Sequence, residues 1–293
     1  MTYPLAFVIL SHKHPEQVRR LASRLEPYPL LVHVDARSST KVWQLIARLE
    51  AEENVHMLPR FPTSWGSWGL VEAALSGLGL ALEIGCEQIV ICTGQDYPLR
   101  PAAEIASYFA ARRGTSWIYN SSVPVSNGMI GDRDGGVGRF RWHVTVRGRH
   151  LRAPLSRPMP AGLQPHYGSA QCCLSAPLGR WVLEQISQRA ELRRFFRHVQ
   201  LPDELLLPTL AMSSPLRETI ETCSLWYMDW SLGGAHPKVL ADVDYDRLAA
   251  ASRGPSDVGG PAPVKLFARK FEPAVSDGVL ERIDTELLSL KRT

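Results

Sequence analysis

The feature that most constrains this chain is a rhythm of short, unbroken apolar runs separated by amphipathic stretches. The runs are Leu5 to Leu10 (LAFVIL), Leu30 to Val34 (LLVHV), Val55 to Leu58 and Gln88 to Cys92 (QIVIC). Runs this short and continuous fit strands buried on both faces of a parallel sheet. Between the first two lies Pro15 to Leu25, with Val18, Leu21, Ala22 and Leu25 on one helical face and Arg19, Arg20 and Arg24 off it. After the second, Thr40 reads as the cap of a helix whose inward face is Val42, Leu45, Ile46 and Leu49. A turn-rich stretch, Thr63 to Gly69, leads into a helix from Leu70 to Ile84. Pro101 to Arg112 is predicted helical and Ser116 to Asn120 extended. Strand, helix, strand, helix predicts an α/β fold around a mostly parallel sheet.

From Ser126 to Pro160 the periodicity disappears. This stretch holds Arg133, Arg139, Arg141, Arg147, Arg149, Arg152 and Arg157 and reads as a long loop or irregular subdomain. Order returns at Gly168 to Leu174, and Pro177 suits the first turn of a helix running to Gln188. Leu225 to Trp230 is predicted extended. Ala249 to Pro263 reads as a mobile loop, and Asp277 to Leu290 as a last helix with Val279, Leu280, Ile283, Leu287 and Leu290 inward.

Composition enters mainly to exclude classes. A 45% hydrophobic and 21% charged chain buries a full core, so disordered and fibrous classes drop out. A net charge of +4 is too mild to argue for nucleic acid. The five cysteines, Cys86, Cys92, Cys172, Cys173 and Cys223, form no C-x-x-C pair, so neither a zinc site nor a disulfide framework is expected. The residues before Gln17 lack a basic n-region and a long apolar core, and no run reaches membrane-spanning length. The expected compartment is the cytoplasm, with peripheral contact as the one form of membrane association left open.

Ligands of open parallel sheets bind beyond the carboxyl ends of the strands. Here those ends carry Ser11-His12, Asp35, Trp65-Gly66 and Gln95-Asp96-Tyr97. Asp35 can bond a ribose or base edge or simply cap a helix; Trp65 can stack on a planar base or pack in the core. Glycine-rich nucleotide motifs are missing, which argues against dinucleotide enzymes and P-loop NTPases. The D-x-D tripeptides Asp132-Arg133-Asp134 and Asp242-Val243-Asp244 are poorly placed for a metal-diphosphate site, which wants the end of a core strand. In KLFARKFE, Phe267 and Phe271 can anchor the segment while Lys265, Arg269 and Lys270 face either a diphosphate or solvent. Pro202-Asp203-Glu204 reads as an acidic helix N-terminus or as a catalytic base.

Taken in order, FVILSH, LLVHVDARS, SWGSWGLVEA, ICTGQDYPLR, YGSAQ, LPDE, YMDW, AHPKVL and LFARKFE resemble the core-2/I-branching N-acetylglucosaminyltransferase and peptide O-xylosyltransferase family. The resemblance runs from about residue 5 to 285 and implies a GT-A-like fold forming a single catalytic domain over residues 1–293. Residues 1–125 would be its nucleotide-binding half, 126–160 an arginine-rich loop, and 161–293 its acceptor and catalytic half. It also implies inverting transfer from a UDP-sugar without a metal ion or other cofactor. By position, Glu204 would be the base and Arg269 and Lys270 would hold the diphosphate. Leu10, Ser11, Asp35, Arg37 and Trp65 would line the nucleotide site. Asp96, Ser169, Ala170, Asp203 and Trp230 would face donor sugar or acceptor.

Eukaryotic members carry an anchor, a stem and disulfides, so this chain is expected to be a soluble, bacterial-type member. Its acceptor would be a carbohydrate, glycolipid or small molecule. The arginine-rich loop, without a clear counterpart, is expected to cover the site and favour an anionic or polysaccharide acceptor. GlcNAc is the first expectation for the donor sugar and xylose the second. The rival outside enzymes is a nucleotide-sugar-binding protein without turnover.

Overall fold

The computed structural model describes residues 3–125, 134–146, 149–153, 157–254 and 264–289. The four apolar runs become β1 (Ala6–Ser11), β2 (Leu30–Val34), β3 (Val55–Met57) and β4 (Gln88–Thr93), parallel neighbours in the order β3-β2-β1-β4. Next come β5 (Asp96–Pro98), β6 (Ser116–Trp117), β7 (Asn120–Ser122), β8 (His143–Val146), β9 (Arg149–Arg152), β10 (His166–Gly168) and β11 (Cys172–Ser175). The last three are β12 (Ile220–Glu221), β13 (Trp226–Met228) and β14 (Phe267–Arg269). β11 lies antiparallel against β4, and β6 and β12 complete a seven-stranded sheet. The result is an α/β architecture with a mostly parallel central sheet.

Helices cover both faces: α1 (Pro15–Leu25), α2 (Thr40–Ala47), α3 (Trp68–Glu83), α4 (Ala102–Ala110), α5 (Ala176–Gln188), α6 (Ala190–Phe196), α7 (Pro202–Met212), α8 (Tyr245–Arg253) and α9 (Pro273–Arg282). Strand alternation decides which layer each side chain enters. Phe7, Ile9 and Val90 pack with α1, α4, α8 and α9. Ala6, Val8 and Ile89 pack with α3, α5, α6 and α7. Among the described residues, no helix is long and apolar enough to cross a membrane.

A second, three-stranded sheet matters more for the site. β14 pairs with β5 and β13, so residues near the end of the chain are stitched to the strand that follows β4. The expectation that Phe267 and Phe271 anchor this segment holds, since both are fully buried. Asp284 adds a clasp. It accepts from Arg20 Nε at 3.0 Å, Arg24 Nε at 2.7 Å and the Tyr97 hydroxyl at 2.7 Å.

Several local expectations need correction. Ser39, not Thr40, caps α2, its hydroxyl accepting from the Val42 N–H at 3.3 Å. The α3 helix begins at Trp68 rather than Leu70. Ser116 to Asn120 is not one strand: β6 joins the main sheet while β7 pairs with β10. The arginine-rich stretch is less irregular than expected, since Val137–Phe140 forms a 3-10 turn and β8 and β9 a hairpin. Its apolar signal is short: Val144 and Val146 alternate along β8, and β9 answers with Leu151 alone, opposite Val144. Arg133 and Arg147 lie outside the described residues. Ala249 to Arg253 belongs to α8, while 255–263 lie outside the described residues. The last helix starts earlier, at Pro273, and ends in a π turn over Ile283–Leu287. Leu290 lies outside the described residues.

Candidate active site

The carboxyl ends of β1, β2 and β4 open into a cleft of about 1220 Å³. Of the residues singled out from the sequence, Leu10, Ser11, Asp35, Arg37, Trp65, Ser169, Ala170, Asp203, Glu204, Trp230, Arg269 and Lys270 all line it, although they come from segments more than two hundred residues apart. Asp96 does not.

At the β2 end, Asp35 is buried and committed. Its Oδ1 accepts from the Arg37 and Thr63 N–H groups at 2.9 and 3.0 Å, and its Oδ2 from Arg37 Nη2 at 3.3 Å. Burial pushes this carboxyl up, but those hydrogen bonds together outweigh it and hold the group below its usual range. The Arg37 guanidinium also donates to the Thr63 carbonyl. His33 beneath accepts from the Phe61 N–H at 3.0 Å and is kept neutral by burial, its pKa lowered to about 4. The choice between a core and a platform role for Trp65 resolves outward. Its side chain is 46% exposed and meets His236 edge-on at 6.1 Å.

Asp96, expected under donor sugar or acceptor, is 1% exposed and lies behind the residues that line the cleft. It accepts from the Thr93 N–H at 2.9 Å, the Thr93 hydroxyl at 3.0 Å, Trp226 Nε1 at 3.3 Å and Arg269 Nη1 at 2.8 Å. With its lone pairs spent on protein, Asp96 aims Arg269 rather than touching a ligand. Arg269 also donates to the Thr93 hydroxyl. Lys270 pairs with Glu272 at 3.0 Å, and Lys13 pairs with the same carboxylate at 2.9 Å. The Lys13 hydrogen bond, together with Lys270, lowers the Glu272 pKa to about 2 despite its burial. Lys13 follows β1 in SHKH. Its place at the carboxyl edge of a strand was the signal that could have identified it.

The opposite wall is the first turn of α7. Leu201 caps it in the left-handed region, at φ 55°, and Pro202 opens the helix. His14 before Pro15 does the same for α1 at φ 54°. These are the two non-glycine residues with positive φ among the described residues. The turn at Leu201 presents Asp203 and Glu204 to the cleft, where Asp203 Oδ1 and Glu204 Oε2 are buried with no hydrogen-bond partner among the described residues. Burial raises Asp203 to about 6. Burial and then the neighbouring Asp203 raise Glu204 to about 7, against a hydrogen bond from Tyr167 and the charges of Arg139 and Arg269.

Arg139 and Tyr167 were missed as partners of Glu204. Arg139 Nη1 lies 3.8 Å from Glu204 Oε2, and its guanidinium lies 4.6 Å from the Tyr167 ring centre. Tyr167 comes from β10, which runs so close to the Tyr119 backbone that a Cβ on Gly168 would sit 2.1 Å from that carbonyl oxygen. Glycine is required there by close approach. Tyr167 directly precedes the Gly168-Ser169-Ala170 segment already singled out, and this adjacency was its one visible sign.

The second D-x-D tripeptide is occupied structurally. Asp244 binds Lys238 at 2.7 Å and the Ala241 N–H at 3.0 Å, and Val243 is exposed. Asp132 and Arg133 lie outside the described residues, and Asp134 accepts from the Gly136 N–H at 3.2 Å.

Comparison with known proteins gives this geometry a context. Xylosyltransferase 2 of Homo sapiens is 25% identical over 305 residues, a match covering 97% of this chain and 33% of the relative. The xylosyltransferase of Ciona intestinalis is 23% identical over 281 residues, covering 92% and 32%. The chain thus spans about a third of the length of these curated relatives. Among solved structures, residues 1–349 of S. aureus TarS superpose with a TM-score of 0.39 at 14% identity, covering 73% of this chain and 56% of that one. Residues 5–248 match the family described as Core-2/I-Branching enzyme, a span that takes in the sheet edge, Tyr167 and the helix carrying Glu204. On that match, the chain belongs to the Core-2/I-branching enzyme family.

Proposed function

We propose that this chain is an inverting glycosyltransferase that moves a sugar from a UDP-sugar to an acceptor hydroxyl, without a metal ion. The observation that carries the reading is Glu204: a buried carboxyl poised to titrate near neutral pH, in one cleft with the paired cations Arg269 and Lys270. A base whose pKa lies near working pH combines the right protonation state with proton affinity. Glu204 takes the proton of the acceptor hydroxyl. The acceptor oxygen forms its bond to the anomeric carbon as the bond from that carbon to the β-phosphate oxygen breaks. Attack from the face opposite UDP inverts the centre. UDP leaves with its charge held by Arg269 and Lys270, fixed donors that need no reorganisation as charge develops. Asp35, Arg37 and Trp65 hold the nucleoside, and Ser169, Ala170 and Trp230 face the sugars.

Between the two donors suggested by the sequence, GlcNAc and xylose, the names of the relatives favour xylose. The test is hydrolysis of a UDP-sugar panel with and without EDTA, beside UDP titration. Slow hydrolysis of one donor, indifferent to EDTA and lost in Glu204→Gln, is the expected result and names the donor. Loss of hydrolysis with EDTA overturns metal independence. UDP affinity without turnover on any donor or acceptor leaves a binding protein instead.

A further inference from the structure

A second hollow of about 310 Å³ adjoins the cleft. Trp65, Gln200 and Leu201 line both, so the two share a wall. Leu201 caps α7, which places this annex one turn from Glu204. The seam is tight. Gly66 has φ 68°, and a Cβ built on it would lie 3.1 Å from Leu201 Cδ2. The remaining walls come from Trp68 at the start of α3, from Arg197 and His198 after α6, and from His143 and Val144 at the start of β8. The segment that brings Arg139 to Glu204 therefore continues into the annex wall.

Three observations point to a ligand. Trp68 is only 7% exposed, and its indole N–H has no acceptor among the described residues. A buried indole donor normally finds a partner, so the vacancy suits a group that arrives from outside. The ionisable groups on the walls are Arg197, His143 and His198, with no carboxylate among the described residues lining it. Arg197 reaches Glu72 at only 3.6 Å and is half exposed, so its guanidinium keeps donors for another acceptor. Trp65, on the shared wall, is 46% exposed, and Trp142, next in sequence to the lining residue His143, is 39% exposed and packs on the lining His198 at 4.4 Å and on Arg157 at 4.5 Å. Fixed, exposed indoles offer flat apolar faces of the kind that pack on the C–H face of a sugar ring.

We propose that this annex binds an oxyanion-bearing sugar unit of a saccharide acceptor, adjacent to the unit whose hydroxyl faces Glu204. Arg197 and the Trp68 N–H take the oxyanion, and Trp65 and Trp142 take the ring. This rests on the transferase reading and adds the class of acceptor to it.

The experiment is calorimetric titration of the protein, with UDP bound and without it. The probes are a uronate oligosaccharide, its sulfated form, a neutral oligosaccharide of equal length and an acidic peptide. At least one acidic saccharide is expected to bind about tenfold more tightly than the neutral one. Arg197→Gln, at a half-exposed site, loses that preference. Trp68→Phe, which keeps a ring and removes the N–H, weakens binding by about threefold to tenfold. UDP affinity is unchanged in both variants. The carboxylate and sulfate arms separate the two sources of the oxyanion. Equal binding of neutral and acidic saccharides, unchanged affinity in both variants, binding of the peptide alone, or no saccharide binding by a protein that binds UDP overturns the annex. Failure to bind UDP overturns the donor reading instead, and the titrations without UDP still decide the annex.

Discussion

The two walls of the cleft treat their charges in opposite ways. On the proposed donor side, Asp35, Asp96 and Glu272 spend their oxygens on protein donors, and Arg269 and Lys270 are each held by a carboxylate. On the α7 side, Asp203 and Glu204 each bury one oxygen without a hydrogen-bond donor among the described residues. The first arrangement fixes geometry and leaves little to titrate. The second costs stability, because desolvated carboxylates resist ionisation, and it keeps reactive oxygens free for substrate. A group that must hold its place is paired, whereas one that must exchange a proton is left partly unsatisfied.

The sharpest way to break this contrast is Glu204→Gln. Turnover should fall about a thousandfold with UDP affinity unchanged, read by donor hydrolysis and UDP titration. The same variant reports on the cost of ionisation. The folded pKa of Glu204 is raised to about 7 from its ordinary value of 4.5. The folded state therefore binds the proton more tightly, and stability declines as pH rises between those values. Glu204→Gln should melt above wild type at pH 8, with the gap closing by pH 4. A variant that melts below wild type at pH 8 would show that the α7 wall carries no such cost.

The donor side should behave in the reverse sense. Asp96→Asn strands Arg269 without its carboxylate and should cost about 3 kcal/mol of stability, with weaker UDP binding, measured by denaturant unfolding and titration. An unchanged unfolding midpoint would show that the pair is ornamental. Smaller, and confined to the α7 wall, is Arg139→Gln. Asp203, Tyr167, Arg139 and Arg269 are the charged and titratable groups acting on Glu204, and Arg139 favours its ionised form. Removing it should move the acidic limb of the pH–rate profile upward by about one unit, with Arg139→Lys restoring it. A fall in rate without movement of the limb would make Arg139 structural only. Smallest is Trp226→Phe, which removes one of four donors to Asp96 and should cost about 1 kcal/mol.

Much of the donor wall was legible because strand ends announce themselves. LAFVIL and LLVHV stop at Ser11 and Asp35, and a parallel sheet forces such residues to one edge. The direction in which a strand-end carboxylate faces was not legible. Asp35 and Asp96 occupy equivalent places in the pattern, yet Asp96 turns to Arg269, a residue 173 positions away. The β8–β9 hairpin was hidden for another reason. β8 (HVTV) does alternate, but it is only four residues long, and β9 (RHLR) offers the single apolar Leu151 opposite Val144, too little pattern to fix a register such as His143 opposite Arg152. Glu204 could be singled out as a base, but not its setting, because Arg139 and Tyr167 approach from two other segments and neither spacing is periodic.

The stitching of β14 to β5 also has a consequence for how this protein is made. Arg269 and Lys270 are delivered to the cleft by a strand that must pair with residues 96–98, and Asp284 then clasps Arg20, Arg24 and Tyr97. A ribosome will therefore have built the whole central sheet well before the cations of the donor site exist. β12 completes that sheet before the segment that brings Arg269 to Asp96 has been made. Premature termination before residue 267 should yield a chain unable to hold nucleotide. β14 is thus the element that commits the nascent chain to completing this cleft.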